Sequence, residues 1–202
     1  MNPATQHAVA QLRRMRAMNG KYHERFFGDV RFALALVIAL FVIGWWGINE
    51  AFLLVPFVAL WGACQTAFDA SYLIFSRQYA ARLEGWLNSE GGADGVLVAA
   101  ELEATYLFPL DTGKIVTVPI SGQFSWFSFM TLFITLSGVV ATGAGLWLGA
   151  PVLEAGSALG RLAYWLAYGG LAGSALVAGG WWFVGGVGER RLAAVLDARF
   201  GA

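Results

Sequence analysis

Apolar residues along the chain come in four long blocks, 32–47, 51–75, 124–150 and 162–187, each bounded by polar or charged segments. A helix of such residues can cross a hydrocarbon layer roughly 30 Å thick, because helical backbone satisfies its own hydrogen bonds where water is absent. The first block is the shortest, at about 16 residues, so it is extended to Ile48 with Arg31 snorkelling from its inner end. The last two run to about 26 residues, which predicts tilt or protrusion. The pattern therefore predicts an all-α membrane protein with four transmembrane helices in two hairpins. A small cytoplasmic insertion, a helix plus a β-hairpin, separates the two. The predicted organisation is a basic amphipathic N-terminus at 1–31, a first transmembrane hairpin at 32–75, the insertion at 76–123, a second hairpin at 124–187 and a tail at 188–202.

The polar segments have patterns of their own. Near the N-terminus, Val9, Leu12 and Met15 recur at helical spacing beside a cluster of arginines. That suits a short helix lying on an anionic leaflet, although a charge signal without lipid specificity is the plainer account. After the second block, Tyr72, Phe75, Tyr79, Leu83, Trp86 and Leu87 recur at steps of three and four, with Arg77, Arg82 and Glu84 mostly on other faces. This predicts a helical stalk ending at Gly91 and Gly92. Residues 105–110 and 114–120 are rich in β-branched and aromatic side chains around Asp111-Thr112-Gly113, which predicts a hairpin with its turn at that tripeptide.

Composition sharpens the class. Of 202 residues, 58% are hydrophobic and only 13% charged, far too apolar for an ordinary soluble domain. Net charge is zero, so its distribution is what informs. Lys and Arg fall before the first block, between the second and third, and after the fourth, with Arg161 the one exception. Cytoplasmic loops retain such residues, so both termini and the insertion are expected in the cytoplasm of a plasma (inner) membrane protein. The aromatic residues fit: Trp45, Trp46, Trp147, Tyr164 and Trp165 fall at one interface, Trp126, Trp181 and Trp182 at the other. About 30 polar residues precede the first block, so it is expected to stay as an anchor rather than be cleaved. The single cysteine, Cys64, reads as a small packing residue.

Two features carry candidate chemistry. The third block holds Ser125, Ser128, Thr131, Thr135, Gly138, Thr142, Gly145 and Gly149 at steps of three, three, four, three, four, three and four, a heptad seam of small and hydroxyl side chains. The fourth block offers Gly169-x-x-x-Gly173 and Ala175-x-x-x-Gly179. Close approach and hydroxyl bonds drive helix association in lipid, so this seam is expected to pack against Gly169 and Gly173 as an antiparallel pair. The second feature is Asp69, an acid near the end of an apolar run. Counted from the turn near Asn49, Arg31 lies at similar depth and is its expected counter-ion, with Gln65 and Tyr72 one helical turn to either side completing a polar cluster.

An Asp-Thr-Gly tripeptide also occurs in aspartic proteases, but that chemistry needs two carboxylates sharing a proton, and one copy beside Pro109 reads as a turn. His23 and Glu24 lack the second histidine of a zinc-protease helix. No catalytic constellation, cofactor or metal is expected, nor a nucleic-acid partner. Two functions follow: a self-associating, non-catalytic scaffold or signalling partner with a cytoplasmic protein partner, or a small oligomeric ion channel or transporter using Asp69 and the Ser/Thr seam. Ion flux in liposomes separates them.

Overall fold

The computed structural model describes residues 2–90, 95–107, 114–115, 118–119 and 125–200. Four helical stretches, Pro3–Trp45, Asn49–Ser89, Trp126–Ala155 and Ala158–Phe200, are long and apolar enough to cross a membrane. In finer detail the order is α1 (Pro3–Trp45), a 3₁₀ turn (Asn49–Leu54), α2 (Val55–Ser89), α3 (Ala99–Tyr106), the two-residue strands β1 (Lys114–Ile115) and β2 (Val118–Pro119), α4 (Trp126–Ala155), α5 (Ala158–Gly179), a π turn (Gly180–Val184) and α6 (Val187–Phe200).

The chain divides into two compact units. The first comprises 1–25, 68–131 and 181–202; the second comprises 26–67 and 132–180. In the second unit the charged residues are Asp29, Arg31, Glu50, Glu154 and Arg161, which leaves 32–49, 51–67, 132–153 and 162–180 free of charge. Its outer surface is correspondingly apolar, with Phe32, Ile38, Phe133, Val140, Leu166 and Leu176 among the exposed side chains. Exposure on this scale marks a surface that meets a membrane or another protein. The tryptophans expected at interfaces are exposed too: Trp45, Trp46, Trp147 and Trp165 in this unit, Trp126, Trp181 and Trp182 in the other.

Within the second unit α1 and α2 approach through small residues. A side chain on Gly44 would stand 2.5 Å from the Phe52 ring, and one on Gly62 would stand 2.8 Å from the Ala33 Cβ. The link between them bends at Gly47, whose φ of +104° lies in the region glycine tolerates and other residues avoid. The 3₁₀ turn and the first residue of α2 then insert Phe52, Leu53 and Val55 inward. Gly145 lies against Val55 and the Phe52 carbonyl, Gly149 against Leu53, and the Tyr164 hydroxyl donates to the Leu53 carbonyl at 3.1 Å. The α4–α5 link is shorter than the gap between the third and fourth apolar blocks, since α4 continues through Pro151 to Ala155 and α5 begins after Ser157, whose hydroxyl accepts from the Gly160 N–H as an N-cap.

The first unit is built around Ala8, Met15, Ala80, Leu83 and Leu87, with Val9, Leu12, Met18, Tyr79, Trp86, Leu97 and Phe200 packed on them. The N-terminal stripe expected on a leaflet is thus covered by α2, and it belongs to one unbroken 43-residue helix. The expected tail is also structured. Helix α6 follows a glycine link at Gly186, φ +61°, and buries Leu196, with the Phe200 ring 6.1 Å from that of Tyr79.

The insertion departs from expectation in detail. Thr105 and Tyr106, read as the start of a strand, close helix α3 instead. The strands pair antiparallel as Lys114 with Pro119 and Ile115 with Val118, so both lie inside the segment expected to form one strand. The turn expected at 111–113 and the helix end at 91–92 lie outside the described residues. Local β-propensity at Thr105 and Tyr106 yields to the tertiary contacts that hold α3.

Candidate functional site

Both long helices carry heptad seams in the first unit. On α1 the steps run Ala8, Leu12, Met15, Asn19, Tyr22; on α2 they run Leu73, Arg77, Ala80, Glu84, Leu87. All five α2 positions are buried, Arg77 to 2% exposure and Glu84 to 4%. Charge at a seam position is costly unless every charged atom finds a partner. Here the partners come from α1 and α3.

One guanidinium, that of Arg16, bridges two carboxylates: Nη2 meets Glu84 Oε1 and Nη1 meets Glu103 Oε1. Arg77 Nε reaches Glu103 Oε2 at 3.2 Å, and Asn19 Nδ2 approaches Glu103 Oε1 at 3.5 Å. Two cations and two anions thus meet where three helices converge. Burial pulls the Arg16 guanidinium down, but its bonds to Glu84 and the charges of Glu103 and Glu84 outweigh that, so its pKa ends above the ordinary value. At Arg77 burial wins over the attraction of Glu103, aided by repulsion from Arg16, and the pKa falls below the ordinary value. A guanidinium gives up its proton only far above neutrality, so both stay cationic at neutral pH.

Glu84 has a second task. The first N–H groups of a helix have no partner within it, and Val98, at the N-cap of α3, supplies no side-chain bond. The Ala100 N–H donates to Glu84 Oε2 at 2.8 Å, so a carboxylate from α2 caps α3 and meets the positive end of its dipole. Just upstream, Asn88 clamps Leu97 from both sides: its Nδ2 donates to the Leu97 carbonyl at 2.8 Å and its Oδ1 accepts the Leu97 N–H at 3.1 Å.

The expected polar cluster is arranged otherwise. The counter-ion of Asp69 is Arg25, at 3.3 Å, and the Asp69 side chain is wholly buried while that of Arg25 is 47% exposed. Arg31 Nε donates instead to the Phe27 carbonyl of its own helix at 3.1 Å. Matching depth from the turn chose the wrong arginine by six residues, close to two helical turns along α1. Tyr72 stacks on Tyr22, centroids 4.5 Å apart, and Gln65 is half-buried in the second unit. Cys64, expected to pack, is exposed.

The small-residue seam also separates. In the first unit Ser128 is buried, its N–H donating to Ser125 Oγ at 3.1 Å, and Thr131 Oγ1 donates to the Phe127 carbonyl. In the second, Thr135 is exposed, Thr142 half-buried, and Gly145 is filled by Val55 and Phe52. Gly138, Gly169 and Gly173 have open space where a side chain would stand. The expected pairing of Gly145 with the α5 glycines is therefore corrected: a notch on one helix is filled by the bulky side chains of the 3₁₀ turn, not by a second notch.

Sequence reasoning missed Arg16, Arg77, Glu84 and Glu103 as a set. The signal was present, because Arg77 and Glu84 occupy the four-three spacing of Leu73, Ala80 and Leu87. No family model, curated protein or solved structure matches the chain.

Proposed function

We propose that the chain is a non-catalytic integral membrane protein of four spans in two hairpins, a self-associating scaffold or signalling partner with its termini and its 76–123 insertion in the cytoplasm. The charge-free stretches of the second unit support the spans, and the arginine distribution supports the orientation. The observation that carries self-association is the face of α5. Gly169, Gly170 and Gly173 have nothing within 4 Å of the position a Cβ would take, and α5 has no buried residue. In lipid such a face permits the close backbone approach that joins helices. The polar groups in the two seams of the first unit, Asn19 on α1 and Arg77 and Glu84 on α2, support the partner role, since polar groups in a heptad seam fix register and so present a defined surface. The enclosure of Asp69 beside Arg25 supports a structural pin over the channel reading.

Subunit counting of the full chain in liposomes at increasing lipid dilution tests this. More than one copy per assembly is expected, with Gly169→Leu/Gly173→Leu shifting the population to single copies. Single copies of the unaltered chain at every dilution would refute self-association.

A further inference from the structure

We propose that α3 is a detachable latch, held shut by the carboxylates of Glu84 and Glu103 rather than by apolar burial. The proposal concerns a movement of the first unit and holds whatever the partner is.

The large apolar side chains of α3 face outward, and its half-buried side carries Ala100 and Ala104 beside Glu103. A helix on a protein surface ordinarily turns its apolar stripe inward. Here Val98, Leu102 and Tyr106, spaced by four, are 44%, 64% and 83% exposed, and α3 buries no residue. Its inward side carries Glu103, half-buried, against Arg16, Arg77 and Asn19, and its first turn hangs on Glu84 through the Ala100 N–H. Eight residues are too few for an independent helix in water. The helical state of α3 therefore depends on two carboxylates, one of which also caps it.

A hinge is built in at its start. Leu97 packs on the core of the unit and is clamped twice by Asn88, whereas Val98 has a backbone outside the helical region, φ −120° and ψ 8°, and no side-chain cap. Release would begin between residues 98 and 99 and leave Leu97 in place. Segments with few apolar contacts open locally at low free-energy cost while their surroundings stay folded. Opening withdraws Glu103 from Arg77, whose guanidinium lies in the α2 seam and needs a counter-charge. The closed latch is thus the state in which two cations face two anions, and opening leaves the cluster of Arg16, Arg77 and Glu84 with an excess of positive charge.

Hydrogen exchange by mass spectrometry on the full chain in nanodiscs tests the latch. In the unaltered protein, peptides covering 99–106 should exchange at least a hundredfold faster than those covering 79–87. Equal protection of the two would overturn the proposal without any variant. Glu103→Gln should speed exchange in 99–106 by at least tenfold and leave 79–87 within twofold. Leu102→Ser, which removes an outward apolar side chain, should leave 99–106 within twofold. Loss of protection in Leu102→Ser as large as in Glu103→Gln would show that apolar packing holds α3, and the latch would fail.

Discussion

Helices α1 and α2 meet in both units, and different chemistry joins them in each. In the second unit the contacts are Gly44 beneath Phe52 and Gly62 against Ala33, with no charged side chain from 32 to 49 or from 51 to 67. In the first unit they are Arg16 with Glu84, Tyr22 on Tyr72 and Arg25 with Asp69, set among Met15, Ala80 and Leu83. The surroundings proposed above for the two units account for the difference. Where water surrounds a helix pair, apolar burial supplies the attraction and spare polar groups can select the register. Where lipid surrounds it, apolar burial gives no preference for another helix over an acyl chain, so fit between small and large residues must do both jobs.

The comparison breaks most readily at Glu84. Glu84→Ala strips Arg16 of one carboxylate and leaves the Ala100 N–H uncapped at once. Removing one partner of a buried ion pair costs about 4 kcal/mol, chiefly because the other charge stays buried. The expected outcome is a first unit that unfolds at markedly lower denaturant while the helical signal of the second unit persists. Two probes resolve this, protease cleavage within 76–90 for the first unit and far-ultraviolet circular dichroism for the whole chain in detergent micelles. A single coincident transition in the variant would mean the units do not differ in the way their chemistry implies.

How much of this was legible beforehand divides along the same line. The four long apolar helices were readable, because a run such as 162–180 has one dominant property. The stalk was readable through Leu83 and Leu87, which bury as their periodicity requires. What escaped was the meaning of charge within a seam. Arg77 and Glu84 look like solvated residues until α1 and α3 are known to bring Arg16 and Glu103 to them, and no local pattern records contacts between residues 26 or more positions apart. Thr105 and Tyr106 failed for the same reason, since the bonds that make α3 a helix come from elsewhere in the chain. The glycine seam failed differently. Its spacing correctly marked a face for close approach at Gly145, but spacing cannot say whether the filler is another helix or the side chains of Phe52 and Val55.

That last point supplies the next test, on the second unit alone. A Cβ at Gly145 would stand 2.8 Å from the Val55 Cβ and 3.0 Å from the Phe52 carbonyl oxygen, and backbone cannot swing aside as a flexible side chain can. Gly145→Leu should therefore destabilise the fold in lipid by about 2 kcal/mol, the usual cost of overpacking. Gly169→Leu meets open space and should leave single-chain stability unchanged. Thermal unfolding of both variants in nanodiscs loaded with one copy reads the difference. Equal losses would mean that α5 already uses its glycines within the chain.

The smallest effect expected separates charge in a seam from charge on a surface within the first unit. Arg82 Nη2 lies 2.5 Å from Asp197 Oδ1, a shorter separation than Arg77 to Glu103, yet both side chains are 45% exposed. Short distance does not make a strong pair in water, because ordering two long side chains offsets the attraction and salt screens what is left. Helix α6 also buries Leu196 and meets α2 through Phe200 near Tyr79, in addition to this pair. Arg82→Gln should accordingly cost no more than about 0.5 kcal/mol, and 0.5 M salt should remove even that, while the Glu84→Ala loss persists at the same ionic strength. A large, salt-insensitive loss in Arg82→Gln would place the Arg82–Asp197 pair with the seam charges and make exposure a poor guide to which ion pairs hold this unit together.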